Sequence, residues 1–464
     1  MQDAINPKPR SRRTGPDAGN LPMKFLQIHT FYGQYLQEFS SRHPELQLST
    51  YQAAMRILLA DGFSACHLLP PHLDPSQFDS QLIIANFAEG QNAWRREHGI
   101  DPAATADDLL RRQIAEIQPD ILYLTDPVTY DSGFVRSLSK RPALVLGWRA
   151  APVLPGTDWS EFDLIISNHE ATLQLAVDRG AKAIERFHPG FPTFLAEAVK
   201  DEPETSDVAF CGQWSPMHDI RNQRWVDVAK AADLQPGGFQ LDYYLMAQSP
   251  EGLPAAVAKF NRGARFGLEM HRALKRSRVC LNGVIDIGQG QSANMRLFEI
   301  AGTGAFQLME HHADAPYFEP GVEIETYRGK DELLEKILHY LDHPEARRAI
   351  ARRGQERCFR DYSMERRARE FGQIICKHLA SGIQRRQPCG SGDIRRAAPE
   401  SAELRSLLER ATREMSEQKH SLEAEVERAR QELSVMKRSL AWKLAGKHLF
   451  SIEKRVRRLC RRKD

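Results

Sequence analysis

The stretch Val279–Leu308, VCLNGVIDIGQGQSANMRLFEIAGTGAFQL, decides how this chain is expected to fold. An apolar run typical of a buried strand opens into a loop with Gly288 and Gly290, and a helical pattern follows. Free amides at the start of such a helix, together with Arg296, suit a diphosphate group. Glu299, one turn further on, can accept hydrogen bonds from ribose hydroxyls. The stretch therefore predicts a nucleotide site.

Similar units extend on both sides of this stretch, because short apolar runs alternate with helical patterns along most of the chain. That alternation predicts parallel sheets covered by helices. The strand-length runs are 25–28, 82–85, 121–124, 143–146 and 164–166, and then 208–211, 241–245, 279–281 and 305–308. An acidic segment with a proline, residues 200–207, separates the two sets. The predicted fold class is α/β, with two Rossmann-like domains facing a cleft, which is where a ligand is expected.

Composition sets the boundaries of the other segments. The first 22 residues are polar and rich in Pro, Arg and Gly, and a repeat of apolar residues spaced by four and three near the C-terminus is typical of a coiled coil. A single amphipathic helix folded back on the body is the alternative for that repeat. The predicted organisation is a disordered leader at 1–22, an N-terminal Rossmann-like domain at 23–200, a second at 207–360, a closing helix crossing back at 361–380, a linker at 381–400, a coiled coil at 401–440 and a basic amphipathic tail at 441–464.

Charge is distributed unevenly between the body and this tail. The net charge is +3, yet residues 434–464 hold eleven Lys or Arg against Glu453 and Asp464. The remaining body is mildly acidic, which argues against nucleic acid as the main partner. The tail fits an anionic membrane surface or a partner protein, and the coiled coil predicts a homo-oligomer.

Seven cysteines stand singly, without metal-ligand spacing, and are expected to be reduced and structural. No apolar run approaches the roughly 20 residues that span a bilayer, and the basic N-terminus is not followed by a signal-peptide core. The sequence thus predicts a cytoplasmic protein, peripheral at most to the inner membrane surface.

Several segments resemble group 1 glycosyltransferases of GT-B fold, in particular the spore-maturation type. NMRLFEIAGTGAFQLME at 294–310 is similar to the donor-binding segment of that family, and DVAFCGQWSPMHDIR at 207–221 to the opening of its second domain. ERCFRDYSMERRARE at 356–370 looks like its closing helix, and IHTFYGQYL at 28–36 like its first cleft loop. The resemblance covers residues 23–378.

This resemblance implies transfer of a hexose-type sugar from a nucleoside diphosphate sugar to a hydroxyl of a glycan, lipid-linked glycan or protein. It implies no metal and no cofactor, with polysaccharide biosynthesis as the setting. The implied donor-binding residues are Gly212, Arg221, Asn294, Arg296 and Glu299; the catalytic candidates are His29 and His218; the acceptor-side loop contains Tyr32 and Gly33. Asp126, Asp131 and Asp286 are unranked candidates for a base.

Other interpretations stay open. Arg296 and Glu299 are spaced as a surface ion pair, and His29 can be a satisfied core histidine. Many retaining relatives carry an acidic residue where this chain has Gln291, so retention or inversion is not assigned. That departure also allows a non-catalytic coiled-coil assembly protein with a degenerate transferase body. Gly288-x-Gly290-x-x-Ala293 imitates a dinucleotide fingerprint, which would indicate an NAD-dependent oxidoreductase.

Overall fold

A computed structural model describes residues 21–215, 218–234, 238–247, 252–283, 294–311 and 317–380. Apart from residues 152–156, all of these residues belong to one compact unit. Within that unit the chain forms two α/β halves, each built on a parallel sheet.

The first half contains a six-stranded sheet with the order β2-β1-β3-β4-β5-β6. Its central strands are buried on both faces, as expected of a parallel sheet covered by helices. The strands are β1 (Met23–His29), β2 (Phe78–Ile84), β3 (Ile121–Leu124), β4 (Leu144–Trp148), β5 (Leu164–Ser167) and β6 (Ile184–Arg186).

Helices connect these strands, and side-chain caps mark several of their starts. The Thr50 hydroxyl accepts a hydrogen bond from the Ala53 amide at 3.2 Å, and Thr105 forms a capping box with Asp108. The helices are α1 (Gly33–Arg42), α2 (Tyr51–Ala60), α3 (Ala88–Glu97), α4 (Ala106–Ile117), α5 (Ser132–Arg136), α6 (Glu170–Asp178) and α7 (Thr193–Val199), with 3-10 turns at Pro44–Leu48, Ala65–His67 and Pro70–His72.

The second half contains a five-stranded parallel sheet with the order β11-β10-β9-β7-β8. Its strands are β7 (Ser206–Trp214), β8 (Leu241–Ala247), β9 (Ser277–Asn282), β10 (Gln307–Glu310) and β11 (Glu325–Tyr327). Its helices are α8 (Asp219–Leu234), α9 (Ala255–Ala258), α10 (Gly267–Lys275), α11 (Met295–Gly302), α12 (Lys330–Asp342) and α13 (Pro344–Tyr362), and α14 (Met364–Ala380) follows them.

Helix α14 packs against the first sheet rather than the second. The Phe371 ring lies 6.0 Å from that of Phe25 and 5.1 Å from that of Tyr123, both on central strands of the first sheet. Met364 and Ile375 are fully buried in the same cluster. The last described helix therefore ties the end of the second half to the core of the first.

The predicted α/β class with two Rossmann-like parallel sheets is confirmed. Most of the predicted leader, together with the linker, the coiled coil and the basic tail, lies outside the described residues. No helix among the described residues has the length and apolar character needed to cross a membrane.

Candidate active site

A cavity of about 320 Å³ lies between the two halves. It opens where strands of both sheets end, which is the usual position of a ligand site in parallel α/β folds. We call it the inter-half cavity. From the first half it is lined by His29, Thr30, Tyr32, Gly62, Phe63, Ser64, His67, Thr125 and Trp148, and from the second by Gly212, Gln213, Tyr244, Met246, Ala264, Arg265, Phe266, Gly267, Met270, Met295, Arg296 and Glu299.

Gly212, near the end of β7, gives the cavity part of its surface on the second half. A Cβ atom at this position would lie 2.6 Å from the Phe210 ring. A side chain here would therefore require the Phe210 ring to move. Gly212 was predicted to lie on the donor side.

Arg296 and Glu299 form an ion pair inside the inter-half cavity. The distance from Arg296 Nη1 to Glu299 Oε2 is 2.8 Å, and the two side chains are 17% and 9% exposed. The pair has the spacing of a surface i, i+3 pair, but it lies in the cavity instead of on the outer surface. Arg296 Nε is buried without a hydrogen-bond partner among the described residues. The pair brings a guanidinium and a carboxylate to the first turns of α11.

Cys66 is the residue of the first half that contacts the Glu299 carboxylate. The Cys66 thiol donates a long hydrogen bond, 3.9 Å, to Glu299 Oε1, and both side chains are buried. Burial, followed by the nearby Glu299 charge, raises the pKa of this thiol well above its usual value. Cys66 is thus a neutral donor that holds the carboxylate from the opposite half.

His29, at the end of β1, has hydrogen bonds at both ring nitrogens. The Thr125 hydroxyl donates to the Ile28 carbonyl oxygen at 3.1 Å, so its oxygen accepts from His29 Nδ1 at 2.6 Å. His29 Nε2 is left with a lone pair and accepts from the Ser64 hydroxyl at 3.1 Å. With the Thr125 hydroxyl donating to Ile28, the network corresponds to the tautomer that carries its proton on Nδ1.

This imidazole is neutral. Burial, with a smaller effect of His67 stacked beside it at 6.1 Å, lowers the pKa of His29 to about 3. His29 is a satisfied buried histidine and at the same time lines the cavity. Its Nε2 is unprotonated at neutral pH, and the lowered pKa makes this nitrogen a weaker base than an ordinary imidazole.

Ser64 stands between His29 and the open cavity in an uncommon backbone conformation. Its φ of 56° and ψ of 15° lie in the left-handed region, which non-glycine residues seldom adopt. Such strain concentrates at functional sites, where the surrounding structure holds it in place. This backbone conformation thus fixes the position of the hydroxyl that forms the hydrogen bond with His29.

Aromatic side chains form the outer wall of the cavity on the first half. Tyr32 is 58% exposed, and its ring packs edge-on against Phe63 at 5.7 Å. Phe63 in turn meets Phe266 of the second half at 5.6 Å. An exposed ring beside a cavity suits the apolar face of a sugar or a base.

Other predicted site residues do not line the described cavity. Asn294 caps α11 by accepting from the Leu297 amide at 3.0 Å, and its side-chain nitrogen donates to Gly283. Arg221 donates to the Gln213 carbonyl and lies over the Phe210 ring at 5.1 Å. His218 is buried, and burial lowers its pKa to about 3.

Gly33 is the first residue of α1, and a Cβ atom there would meet nothing within 4 Å. The space in front of it is open, although the residue is not part of the cavity lining. Of the nine predicted residues, the structure brings five to the cavity: His29, Tyr32, Gly212, Arg296 and Glu299.

The glycine-rich loop, with Gly288, Gly290 and Gln291, lies outside the described residues. The strand before this loop and the helix after it are described, and their ends can be compared with a dinucleotide fingerprint. Strand β9 ends at Asn282 and α11 begins at Met295, so Gly288 follows the strand by six residues. A dinucleotide fingerprint instead places its first glycine in the tight turn directly after the strand.

The structure also adds residues that the motif analysis missed. Ser64, Thr125, Trp148, Tyr244 and Arg265 all line the cavity. Thr125 directly follows β3, Trp148 ends β4 and Tyr244 lies in β8. Thr125 and Trp148 lie at the carboxyl ends of predicted parallel strands, and this position could have identified them as site residues.

Within the described ranges, no three His, Cys, Asp or Glu side chains are grouped so that they could hold a metal ion. The five cysteines in those ranges are free, and four of them are buried.

Residues 193–373 match the model of a family described as "Glycosyl transferase-like". The matched segment begins with α7 and ends within α14, and so contains the whole second sheet with Gly212, Arg296 and Glu299. No curated protein matches this chain.

Several solved structures are similar to this one at low identity. HepE from Anabaena, in complex with UDP-glucose, is 13% identical over 76% of this chain and 100% of its own, with a TM-score of 0.47. A glycosyltransferase from Rickettsia africae is 8% identical over 78% and 99%, also with a TM-score of 0.47. Sucrose-phosphate synthase from Thermosynechococcus elongatus is 10% identical over 78% and 100%, with a TM-score of 0.45.

Proposed function

We propose that this protein transfers a hexose-type sugar from a nucleoside diphosphate sugar to a hydroxyl group of a glycan, a lipid-linked glycan or a protein, without a metal ion. The observation that carries the proposal is the inter-half cavity, in which the Arg296–Glu299 pair of the second half faces His29 and Tyr32 of the first. The family match over residues 193–373 supports the same reaction class.

The reaction requires two events at the anomeric carbon. The bond from this carbon to the diphosphate oxygen breaks, with the electron pair leaving on the diphosphate, and a bond to the acceptor oxygen forms. The acceptor hydroxyl loses its proton in the process. A site for this reaction therefore needs positive charge near the leaving group and a base near the acceptor.

The second half supplies the positive charge. Arg296 lies on the first turn of α11, where the helix dipole also favours an anion. Glu299 orients the guanidinium and offers carboxylate oxygens to ribose hydroxyls. Arg265, held over the Tyr244 ring at 5.6 Å, is a further cation in the cavity wall.

The first half supplies the base. His29 is neutral, and its Nε2 lone pair points to the Ser64 hydroxyl at the cavity surface. An acceptor hydroxyl bound beside Ser64 passes its proton to Nε2 through the serine, or takes the place of the serine hydroxyl. Thr125 acts as a positioning residue because it holds the Nδ1 proton.

The test is a thermal-shift screen of the full chain against UDP, GDP, CDP, dTDP, their sugars and NAD, with and without magnesium. A ligand at 100 times its dissociation constant stabilises a protein by about 2.7 kcal/mol, which is measurable. We expect one nucleoside diphosphate family to stabilise the protein, without a requirement for magnesium, and Arg296→Gln to lose this effect.

Stabilisation by NAD alone would support an oxidoreductase instead. No stabilisation by any compound would favour the assembly-protein interpretation, in which the coiled coil is the functional part. Oligomerisation and membrane contact through residues 401–464 remain predictions, because they lie outside the described residues.

A further inference from the structure

A second cavity, of about 390 Å³, lies far from the inter-half cavity within the second half. We call it the linker cavity, because Lys200, Glu202 and Glu204 of the connection between α7 and β7 contribute to its lining. The other lining residues are Lys275, Ser277, Gly304, Ala305, Phe306, Arg347, Arg348, Ala351, Arg352 and Gln355.

The two cavities lie at opposite edges of the second sheet. Ser277 is the first residue of β9, and Phe306 immediately precedes β10, so the linker cavity is at the amino ends of these strands. Gly212 and Met246, at the carboxyl ends of β7 and β8, belong to the inter-half cavity. Because the strands are parallel, a ligand in one cavity does not touch the other.

The linker cavity has an excess of positive charge. Its lining contains the five cations Lys200, Lys275, Arg347, Arg348 and Arg352, against two carboxylates. Positive charge in a concave surface with low-dielectric walls attracts small anions strongly.

Both carboxylates are already neutralised by pairs of arginines. Glu204 Oε2 lies 2.8 Å from Arg347 Nη2 and 3.3 Å from Arg348 Nη2. Glu202 lies 2.7 Å from Arg276 and 3.2 Å from Arg272. The two acidic groups therefore fix the arginines in place and leave the cavity positively charged.

Two cations of the lining, the half-buried Lys275 and the exposed Arg352, have no side-chain hydrogen bond or ion pair among the described residues. Lys275 is half-buried, and burial lowers the pKa of its ammonium group. The Glu204 charge opposes this shift, but Glu204 is already paired with Arg347 and Arg348. A further anion bound beside the half-buried ammonium therefore stabilises it.

We infer that the linker cavity is a second ligand site, which binds a small phosphorylated molecule through Lys275 and Arg352. A phosphate group accepts hydrogen bonds from an ammonium and a guanidinium together, and the cavity has room for a compound of a few tens of atoms. The site is independent of the donor site and directly contacts the connection between the halves.

The probe is inorganic pyrophosphate, and the measurement is isothermal titration calorimetry of the full chain saturated with the best nucleotide of the thermal-shift screen, or without nucleotide if none binds. We expect Lys275→Gln/Arg352→Gln to weaken pyrophosphate binding at least tenfold. The control is Arg353→Gln, which removes one charge from the same helix outside the cavity and leaves binding unchanged. The basic tail is identical in all variants and cancels in the comparison.

Arg296→Gln separates this inference from the proposed function. We expect that variant to keep pyrophosphate binding at the linker cavity even if it no longer binds nucleotide. Loss of pyrophosphate binding in Arg296→Gln but not in the double variant would assign the binding to the inter-half cavity and overturn the inference. Absence of binding, or equal weakening in Arg353→Gln, would overturn it as well; an unchanged melting temperature shows that the double variant is folded.

Discussion

Arg296 Nη1 lies 2.8 Å from Glu299 Oε2 in the cavity between the halves, with the two side chains only 17% and 9% exposed. Breaking a largely buried ion pair leaves one charge without compensation. We therefore expect Glu299→Gln to lower the free energy of unfolding by about 1–3 kcal/mol and to weaken nucleotide binding at least tenfold, about 1.4 kcal/mol. Chemical denaturation and nucleotide titration measure the two effects.

The double variant Arg296→Gln/Glu299→Gln is the control for this prediction. Because it removes both charges, its loss of stability should be smaller than the sum of the single losses, by about 0.5–3 kcal/mol. Its nucleotide binding should stay weak. Additive stability losses would show that the two residues act independently, and wild-type binding would remove them from the donor site.

In the tautomer with its proton on Nδ1, His29 donates to the Thr125 oxygen and leaves Nε2 to accept from Ser64. Thr125→Val keeps the shape of the side chain and removes the oxygen that accepts from Nδ1. We expect the rate of donor hydrolysis at saturating donor to fall about tenfold to hundredfold, as for loss of a positioned base. The KM for the donor should change little, because Thr125 lies in the other half.

Thr125→Ser retains the hydroxyl and should retain most of the rate. A Thr125→Val variant with the wild-type rate would mean that His29 does not act through Nε2. A loss in Thr125→Ser but not in Thr125→Val would indicate a packing role for the threonine methyl group, because valine retains that group.

The sequence contains enough information for the fold but only for part of the site. Periodicity and apolar runs locate β3 and the buried central strands, because such strands are continuous apolar segments. Strands β6 and β11, three residues each at sheet edges, were missed, since Ile184–Arg186 and Glu325–Tyr327 have too few apolar residues to be distinguished from loops.

The donor side was easier to predict than the acceptor side. Arg296 and Glu299 lie on one helix, so their spacing alone brings them together. Ser64, His29 and Thr125 come from three separate elements and meet only through the tertiary fold. Asn294 shows a different limit of the sequence analysis. It was predicted to contact the donor, but its side-chain oxygen caps the start of its own helix.

Gly267 marks a close approach between the halves. Its φ is 53°, and a Cβ atom would lie 1.9 Å from Asp61 Oδ2 and 2.5 Å from the Asp61 carbonyl oxygen, which accepts from the Leu268 amide. We expect Gly267→Ala to destabilise the protein by clearly more than the roughly 1–2 kcal/mol of left-handed backbone strain. Thermal and chemical denaturation measure this loss.

Gly263 provides the matched control, because its φ is 76° and a Cβ atom there meets nothing within 4 Å. Gly263→Ala should cost only the backbone strain. The difference between the two variants measures the contact of residue 267 with Asp61. Equal losses would show that the contact relaxes without cost.

Buried histidines should make the protein sensitive to mild acid. Burial lowers the pKa of five of them below the ordinary value of about 6.5. The values are about 3 for His29, His218 and His271, and about 4 for His67 and His188. Between the folded and unfolded values the unfolded chain binds more protons, so the contribution of each histidine is complete above pH 6.5 and is lost as the pH falls.

We expect the free energy of unfolding to decrease from pH 7 to pH 5, by at most about 1.4 kcal/mol per pH unit for each histidine below pH 6. His271→Gln removes one such group from a site that is 1% exposed, and should make the decrease shallower. The control His339→Gln changes an exposed histidine and should follow the wild type. Urea unfolding at three pH values tests this, because identical slopes for His271→Gln and wild type would show that His271 is protonated equally in both states.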